Sequence, residues 1–467
     1  MIIWLQDKMA KKEKSFSNAE RYQIHRQASS CWRCGMSRLI AANSNQLCLA
    51  PSDPGCLLPS NHRVRVFNKV VEQDLDLWQI VRHVRQPGQH GRPAYDPVML
   101  LKIVLYGYMV GLNSSRELEQ ACVERIDFRF LTGGRTPSFS TITKFRSEHA
   151  ETLAGLFPKS VSIAIKDDLV EMQDVAFDGT KILANASKHK AMSYERMREK
   201  VERLHADIEA LKRERRRASV RRKQEIEREI EFQRERFAQL QEQKFALEDQ
   251  HLEQSGELPK GKDQRNFTDP ESRIMKKGTG FEQCYNAQAA VDKSSQIIVA
   301  AYVTQAGNDK QQLEPLVERT VEQVGVLPDR GMADAGYFSE LVAESLQQRY
   351  GTTEWLISPG RLAHRSDPGT PPRGRIPRGI SVADLMRRKL STKAGKSAYA
   401  QRKAIVEPAF GQIKEASLEF RRFSFRGLNK VRSEWLLVCA AHNLLKVVRR
   451  RQSQQSYCKI RAAKNAA

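Results

Sequence analysis

Between residues 192 and 250 the chain is dense in Glu, Arg, Lys and Gln and lacks the helix breakers Gly and Pro, a composition unsuited to a strand or a buried core. Met197, Val201, Leu204, Ile208 and Leu211 alternate spacings of four and three, and Ile226, Ile230, Phe237, Leu240 and Leu247 form a second apolar series. Between them lies the basic run Lys212–Lys223, with eight Lys/Arg and the single acid Glu214. The expectation is an inserted antiparallel helical hairpin over 192–250 with a charged tip, so the domain around it must be assembled from chain on both sides.

The flanks supply such a domain. A short extended run, Val175-Ala176-Phe177, leads to Asp178, which is read as closing the first strand. Beyond the hairpin, Tyr285–Val291 and Gln296–Val303 read as adjacent strands around a turn at Asp292–Ser295. A helix at Gln311–Val324 follows, then a short strand and small-residue turn at Gly331–Gly336, a helix at Ser339–Arg349 and a strand at Glu354–Ser358. A Pro/Gly/Arg-rich loop, Pro359–Gly379, and a helix around Tyr399–Lys414 complete the series. Three strands, then alternating helix and strand, is the order of the ribonuclease-H-like α/β fold.

Upstream, Asn61 to about Leu156 is helical in pattern: Val98, Leu101, Leu105 and Met109 keep a 3.6-residue period behind the start signal Tyr95-Asp96-Pro97. Pro137–Arg146 reads as a turn, a Ser/Thr N-cap cluster and a short basic helix. It suits a helix-turn-helix reader with Ser138, Thr141, Lys144 and Arg146 available to DNA, or an ordinary helical subdomain with polar caps. Residues 1–60 lack periodicity and read as a poorly ordered arm; Met9 and Met36 are alternative starts, which would explain the change of character near residue 57. The organisation expected is an arm over 1–60, an all-α helical DNA-binding domain over 61–156, a catalytic domain from 157–191 and 251–434 with the hairpin 192–250 inserted, and a C-terminal helix and basic tail over 435–467.

The balance of 78 Lys+Arg against 55 Asp+Glu leaves +23, which points to a polyanionic partner. Each basic run taken singly, including Lys446–Ala467 with seven Lys/Arg and no acid, also reads as a solvated helix face or frayed end. The longest apolar stretches, Met99–Leu112 and Trp435–Leu445, are shorter than the roughly 20 residues of a membrane span. The first residues lack the ordered blocks of a signal peptide, so a cytoplasmic location and no membrane partner are expected. The eight cysteines read as reduced thiols: Cys31-x-x-Cys34 with Cys48 and Cys56 lacks the second close pair or histidine that zinc requires.

Among 55 carboxylates, position selects three: Asp178 at the end of the first strand, Asp334 at the end of the fourth, and Glu407 on the helix after the fifth. Hard divalent ions take oxygen ligands, so converging carboxylates are the donors phosphoryl transfer needs. On that helix Val406, Phe410 and Ile413 face the core, which leaves Lys403, Glu407 and Lys414 on another stripe. Either lysine suits a phosphate contact, and Glu407 also reads as an i,i+4 partner of Lys403.

Several segments, taken in order, resemble the DDE transposases of bacterial insertion sequences, in the branch with a helical insertion after the first catalytic Asp. They are Gly91–Pro97 with Tyr106-Gly107-Tyr108 and Ser114-Ser115-Arg116; Phe130–Gly134 leading to Ser140-Thr141-Ile142; Asp178-Gly179-Thr180-Lys181; and Ser187–Tyr194 before the insertion. Asp269–Arg273 and Tyr285–Gln288 follow it, then Ala333–Tyr337, and finally Tyr399, Arg402, Glu407 and Lys414. The last set departs from a common spacing, because Arg402 and Glu407 have four residues between them where three are usual; Lys403 restores that interval, so either Arg402 or Lys403 fills the basic position. The resemblance implies Asp178, Asp334 and Glu407 as catalytic ligands of two divalent ions, Mg2+ with Mn2+ able to substitute, and Tyr399, Arg402 or Lys403, and Lys414 as phosphate contacts. It also implies an enzyme that binds the inverted repeats of its own element, hydrolyses phosphodiester bonds there and joins the 3′-hydroxyls to target DNA, acting as a homodimer or larger assembly. A ribonuclease-H-like nuclease that stops at hydrolysis, or a catalytically decayed DNA-binding protein, are the competing readings.

Overall fold

The structure is a computed structural model that describes residues 54–75, 77, 94–360, 374–377 and 379–466. The arm up to residue 53 with Cys31, Cys34 and Cys48, the motif residues Gly91–Pro93 and most of the 359–379 loop lie outside the described residues.

The first helices form where the caps lie. His62 caps α1 (Arg63–Gln73), and Asp96 accepts the Val98 N–H at 2.8 Å to open α2 (Pro97–Met109), with Pro97 in the first turn. Helix α2 is buried from Met99 to Met109. Ser114 and Glu117 form a capping box at α3 (Ser115–Glu124), and α4 (Ile126–Thr132) stops at Gly133, whose φ of +60° is left-handed. Ser138 caps α5 (Phe139–Glu148); α6 (Ala150–Ala154) and α7 (Leu156–Lys166) follow.

The mixed sheet has the order β6/β4–β5–β1–β7–β8. Strand β1 (Asp174–Leu183) runs antiparallel to β5 (Gly280–Asp292), whose two halves pair in turn with β4 (Arg273–Lys277) and β6 (Ile298–Thr304). On its other edge β1 is parallel to β7 (Arg330–Ala333), and β7 is parallel to β8 (Glu354–Ile357). The first strand is longer than expected: Asp178 does not close it, because β5 continues to pair through Leu183. Helix α10 (Leu313–Val324) packs on β5 and β6; α11 (Glu340–Arg349) and α12 (Val382–Ser391) lie beside β8, and α13 (Lys393–Gly411) crosses β1, β5 and β7.

Between β1 and β4 the chain leaves the sheet. A two-stranded root, β2 (Ala191–Ser193) with β3 (Gln264–Asn266), carries helices α8 (Tyr194–Arg217) and α9 (Val220–Ser255). Their seam buries Met197, Leu204, Leu240 and Leu247 near the root and Ile208, Ile226 and Ile230 near the tip.

The last helix, α14 (Leu428–Ala466), begins before residue 435 and is no appended tail: Val431, Trp435, Val438 and Leu445 lie in the same apolar core as α1–α7 and the sheet. It packs along α7, α6, β6, α1 and α2. One ion pair fixes it there. Arg146 of α5 and Glu434 of α14 lie 3.1 Å apart with side chains only 4% and 0% exposed. Arg146 also donates to Asn113 O, Tyr108 Oη and Ser424 Oγ, while Glu434 accepts from Tyr108 Oη and the Ser424 and Phe425 N–H groups. Of the guanidinium nitrogens, Nε alone has no partner among the described residues; a buried pair offsets its desolvation only when its other donors and acceptors are engaged in this way, and removing one member leaves an uncompensated charge. No described helix is long and apolar enough to cross a membrane.

Glu434→Gln is therefore expected to lower the unfolding free energy by roughly 3–5 kcal/mol, with Arg146→Met/Glu434→Leu recovering part of the loss. Urea denaturation of the three proteins decides the matter; an undiminished midpoint in Glu434→Gln would mean that Arg146 is solvated.

Candidate active site

Parallel pairing of β1 with β7 puts Phe177 in register with Ala333, so Asp178 and Asp334 occupy the next positions of strands spaced about 4.8 Å apart. Asp178 accepts the Gly179 N–H at 2.8 Å on Oδ1 and a guanidinium N–H of Arg402 at 3.3 Å on Oδ2. Asp334 is held by its own turn, accepting the Gly336 N–H at 2.8 Å.

A third carboxylate, overlooked in the sequence, stands against them. Asp309 accepts from Asn286 Nδ2 at 2.6 Å and Gln288 Nε2 at 2.8 Å, and Lys181 Nζ is 3.9 Å away. A Cβ at Gly179 would lie 2.4 Å from Gln288 Nε2 and 3.0 Å from Asp309 Oδ1, so this approach needs glycine beside Asp178. Buried Tyr337 donates to Gln288 Oε1 and closes the cluster. Asn286, Gln288, Lys181 and Tyr337 lie in motifs visible in the sequence. Asp309 had no such signal, since a lone Asp after Gly307-Asn308 reads as an ordinary turn residue.

Helix α13 covers the group. Tyr399 donates to Ala333 O at 3.2 Å, and the Arg402 guanidinium lies over its ring, 5.8 Å from the centroid. Arg402 is buried and meets Asp178; Lys403 is exposed and without an ion-pair partner among the described residues, and the Lys403–Glu407 ion pair does not form. Lys414 sits in a π-helical turn, Gln412–Ala416, close enough to Asp178 for their charges to interact; burial holds its ammonium below the usual lysine range. Glu407 is exposed and makes no hydrogen bond or ion pair with the described residues, nor do any three His, Cys, Asp or Glu among them converge as ion ligands.

The DNA contacts expected on α5 fare differently. Arg146 is buried on Glu434, with its side chain only 4% exposed and both terminal guanidinium nitrogens engaged within the protein, which withdraws it from a surface contact. Ser138 is the cap, and the Thr141 hydroxyl hydrogen-bonds to it at 3.0 Å. Lys144 is exposed, 3.8 Å from Glu148.

Electrostatically the site favours a cation. Burial, with Asp334 and Asp309 adding like charge against the attraction of Arg402, pushes the Asp178 carboxyl up to about 6. Asp178 and Asp334 offer the oxygen donors that a hard divalent ion takes, beside the Arg402 guanidinium already on Asp178.

Two family profiles match the chain: Transposase domain (DUF772) over residues 53–148 and Transposase DDE domain over residues 244–444, the latter spanning Asp334 and Glu407. No curated protein and no solved structure matches it. The chain belongs to the DDE transposases of the insertion-sequence type.

Because its folded value is raised, Asp178 favours folding below the ordinary carboxyl range, and that contribution is lost as pH rises through about 6. Asp178→Asn is thus expected to melt higher than the parent at neutral pH in EDTA, by on the order of 2 kcal/mol, with the gap closing near pH 4. Mg2+ should raise the melting temperature of the parent alone. A variant that melts lower in EDTA at both pH values would contradict this account.

Proposed function

We propose that the chain is a transposase that binds the terminal inverted repeats of its insertion sequence, cleaves the strands there and transfers the 3′ ends to target DNA. The observation that carries the reading is Asp178 beside Asp334 on adjacent parallel strands, under a helix bearing Arg402, Glu407 and Lys414. The sheet order, with antiparallel pairing among β1, β4, β5 and β6 and parallel pairing of β1 with β7 and of β7 with β8, supports assigning the catalytic part to the ribonuclease-H-like fold. The α1–α7 region, α3 and α5 in particular, is proposed as its helix-turn-helix-like DNA-binding part.

In this reading Asp178, Asp334 and Glu407 hold Mg2+, two ions in the working complex, for which Mn2+ would substitute. When bound, such ions polarise a phosphoryl oxygen and raise the acidity of the attacking hydroxyl. Arg402 anchors the Asp178 carboxylate, and Tyr399 fixes α13 to the end of β7. Lys414 supplies a positive charge beside the reacting phosphate. The nucleophile is first water and then a DNA hydroxyl, so no protein side chain becomes esterified. The partners are double-stranded DNA ends and target, gathered by a homodimer or larger assembly in the bacterial cytoplasm.

Asp178→Asn, Asp334→Asn and Glu407→Gln should each reduce strand cleavage to below about 1% while end binding persists, as each removes an anionic ligand at constant shape. Active Glu407→Gln with inactive Asp309→Asn would transfer the third ligand to Asp309. Incubation of precut ends with plasmid separates a transposase from a nuclease: joined products are expected, and hydrolysis alone would sink strand transfer.

The hairpin tip is proposed to bring paired ends together. Arg215 and Arg222 are ion-paired to Glu227 and Glu214, whereas Arg216, Arg217, Arg221 and Lys223 have no partner among the described residues. Changing these four to Gln is expected to deplete paired-end complexes in a native gel and to spare single-end binding. Unchanged pairing would reduce the hairpin to a spacer.

A further inference from the structure

A groove of about 720 Å³ opens between the turn and first residues of α3, helix α5, Asn185 and the loop Glu419–Phe425. Its walls carry Arg116, Arg421 and Arg422, all exposed, and none ion-paired among the described residues. Elsewhere on the protein exposed arginines are neutralised: Arg330 by Asp174 and Glu354, Arg349 by Glu314 and Glu318, and Arg451 by Asp74 and Asp167. Of the groove's acids, Glu117 is engaged by the Ser114 N–H at 3.1 Å, while Glu419 lies along Gly111. Arg146, the remaining charge on the wall, is cancelled by Glu434.

The guanidinium of Arg116 lies 5.2 Å from the centroid of Phe139, a ring left 42% exposed. An arginine stacked in this way keeps its N–H edges in a fixed plane, which suits the paired oxygens of a phosphate. Loop and strand are joined: the Leu183 N–H donates to Arg421 O at 3.3 Å, the Phe423 N–H to Leu183 O at 2.9 Å, and Asn185 Nδ2 to Ser424 O at 2.6 Å. The groove is therefore fixed to the end of the strand that carries Asp178.

We propose that this groove seats the sugar–phosphate backbone of duplex DNA, with Arg116, Arg421 and Arg422 as the phosphate contacts; the proposal rests on the transposase reading. Five residues separate Asp178 from Leu183. At about 3.4 Å per strand residue that is about 17 Å, or about five base-pair steps along a duplex. The groove thus lies about 17 Å along β1 from Asp178, within reach of the same duplex. It places the electrostatic footprint beside α5, at residues distinct from Ser138 and Arg146.

The test uses full-length protein in EDTA and a fluorescein-labelled random duplex of about 30 base pairs, with anisotropy titrations from about 50 to 200 mM KCl. Arg116→Gln/Arg421→Gln/Arg422→Gln is expected to weaken binding at least tenfold at about 100 mM salt and to flatten the log–log salt slope by about 2–3, the loss of about three phosphate contacts. Its melting temperature should match the parent's; if it does not, Arg116→Gln alone must flatten the slope by about 1. Arg196→Gln/Arg203→Gln/Arg228→Gln, exposed on the hairpin arms outside the groove and the tip, removes the same charge elsewhere and should leave the slope unchanged. Equal losses in the two triple variants would make the effect one of net charge and overturn the groove. A parent that binds duplex together with a groove variant of undiminished slope overturns the groove alone; a parent that binds no duplex overturns the transposase reading with it.

Discussion

Strand β1 is hydrogen-bonded along both edges, antiparallel to β5 over nine registered pairs from Val175↔Asp292 to Leu183↔Cys284, and parallel to β7 from Asp174 to Phe177. The two edges constrain each other. A slip of one residue against either neighbour would turn Asp178 to the opposite face of the sheet and place Gly179 where a carboxylate is needed. Gln288 and Asn286 meet Asp309 only because β5 runs past Asp178 to the end of β1. The parallel edge, in turn, requires a crossover connection, which here carries the hairpin, three sheet strands and α10 between β1 and β7. Register is thus the condition on which both the site and the long excursion depend.

What could be read from the sequence was whatever leaves a local mark. The apolar series of the hairpin gave both arms, and the Pro97 and Ser138 caps gave two helix starts. Asp178 and Asp334 could be selected because each follows an apolar run and precedes a small-residue segment. The same Gly179 made β1 look finished, whereas its missing side chain admits the neighbouring strand's amides. Asp309 and Arg146 failed for a different reason, as their roles are defined by partners remote in sequence. A basic residue on a short basic helix has the pattern of a surface contact, and nothing near Arg146 announces Glu434.

The hairpin and the main body are held by separate apolar clusters, with the small β2–β3 pair at the root. Its interior is a narrow file of Leu, Ile and Met between long polar faces. Segments with so little burial open at lower free energy than a body's core, and this arm can do so without disturbing the sheet. This freedom sits next to a rigid site, where Asp178 is fixed by backbone pairing and by Arg402. The hairpin joins the sheet through residues 184–190 on one side and 267–272 on the other.

The Arg146–Glu434 pair spans 288 residues, and that separation bears on how the protein is made. At about 5–20 residues per second, Glu434 leaves the peptidyl-transfer centre roughly 15 to 60 seconds after Arg146. Throughout that interval α2, α5 and α7 have no α14 to complete their core, and Arg146 has no counter-charge. Until then the nascent helical region lacks the helix that completes its core. Its core is completed only once the strand carrying Asp334 and the helix carrying Glu407 have already been synthesised, so a product truncated before α14 lacks a finished core.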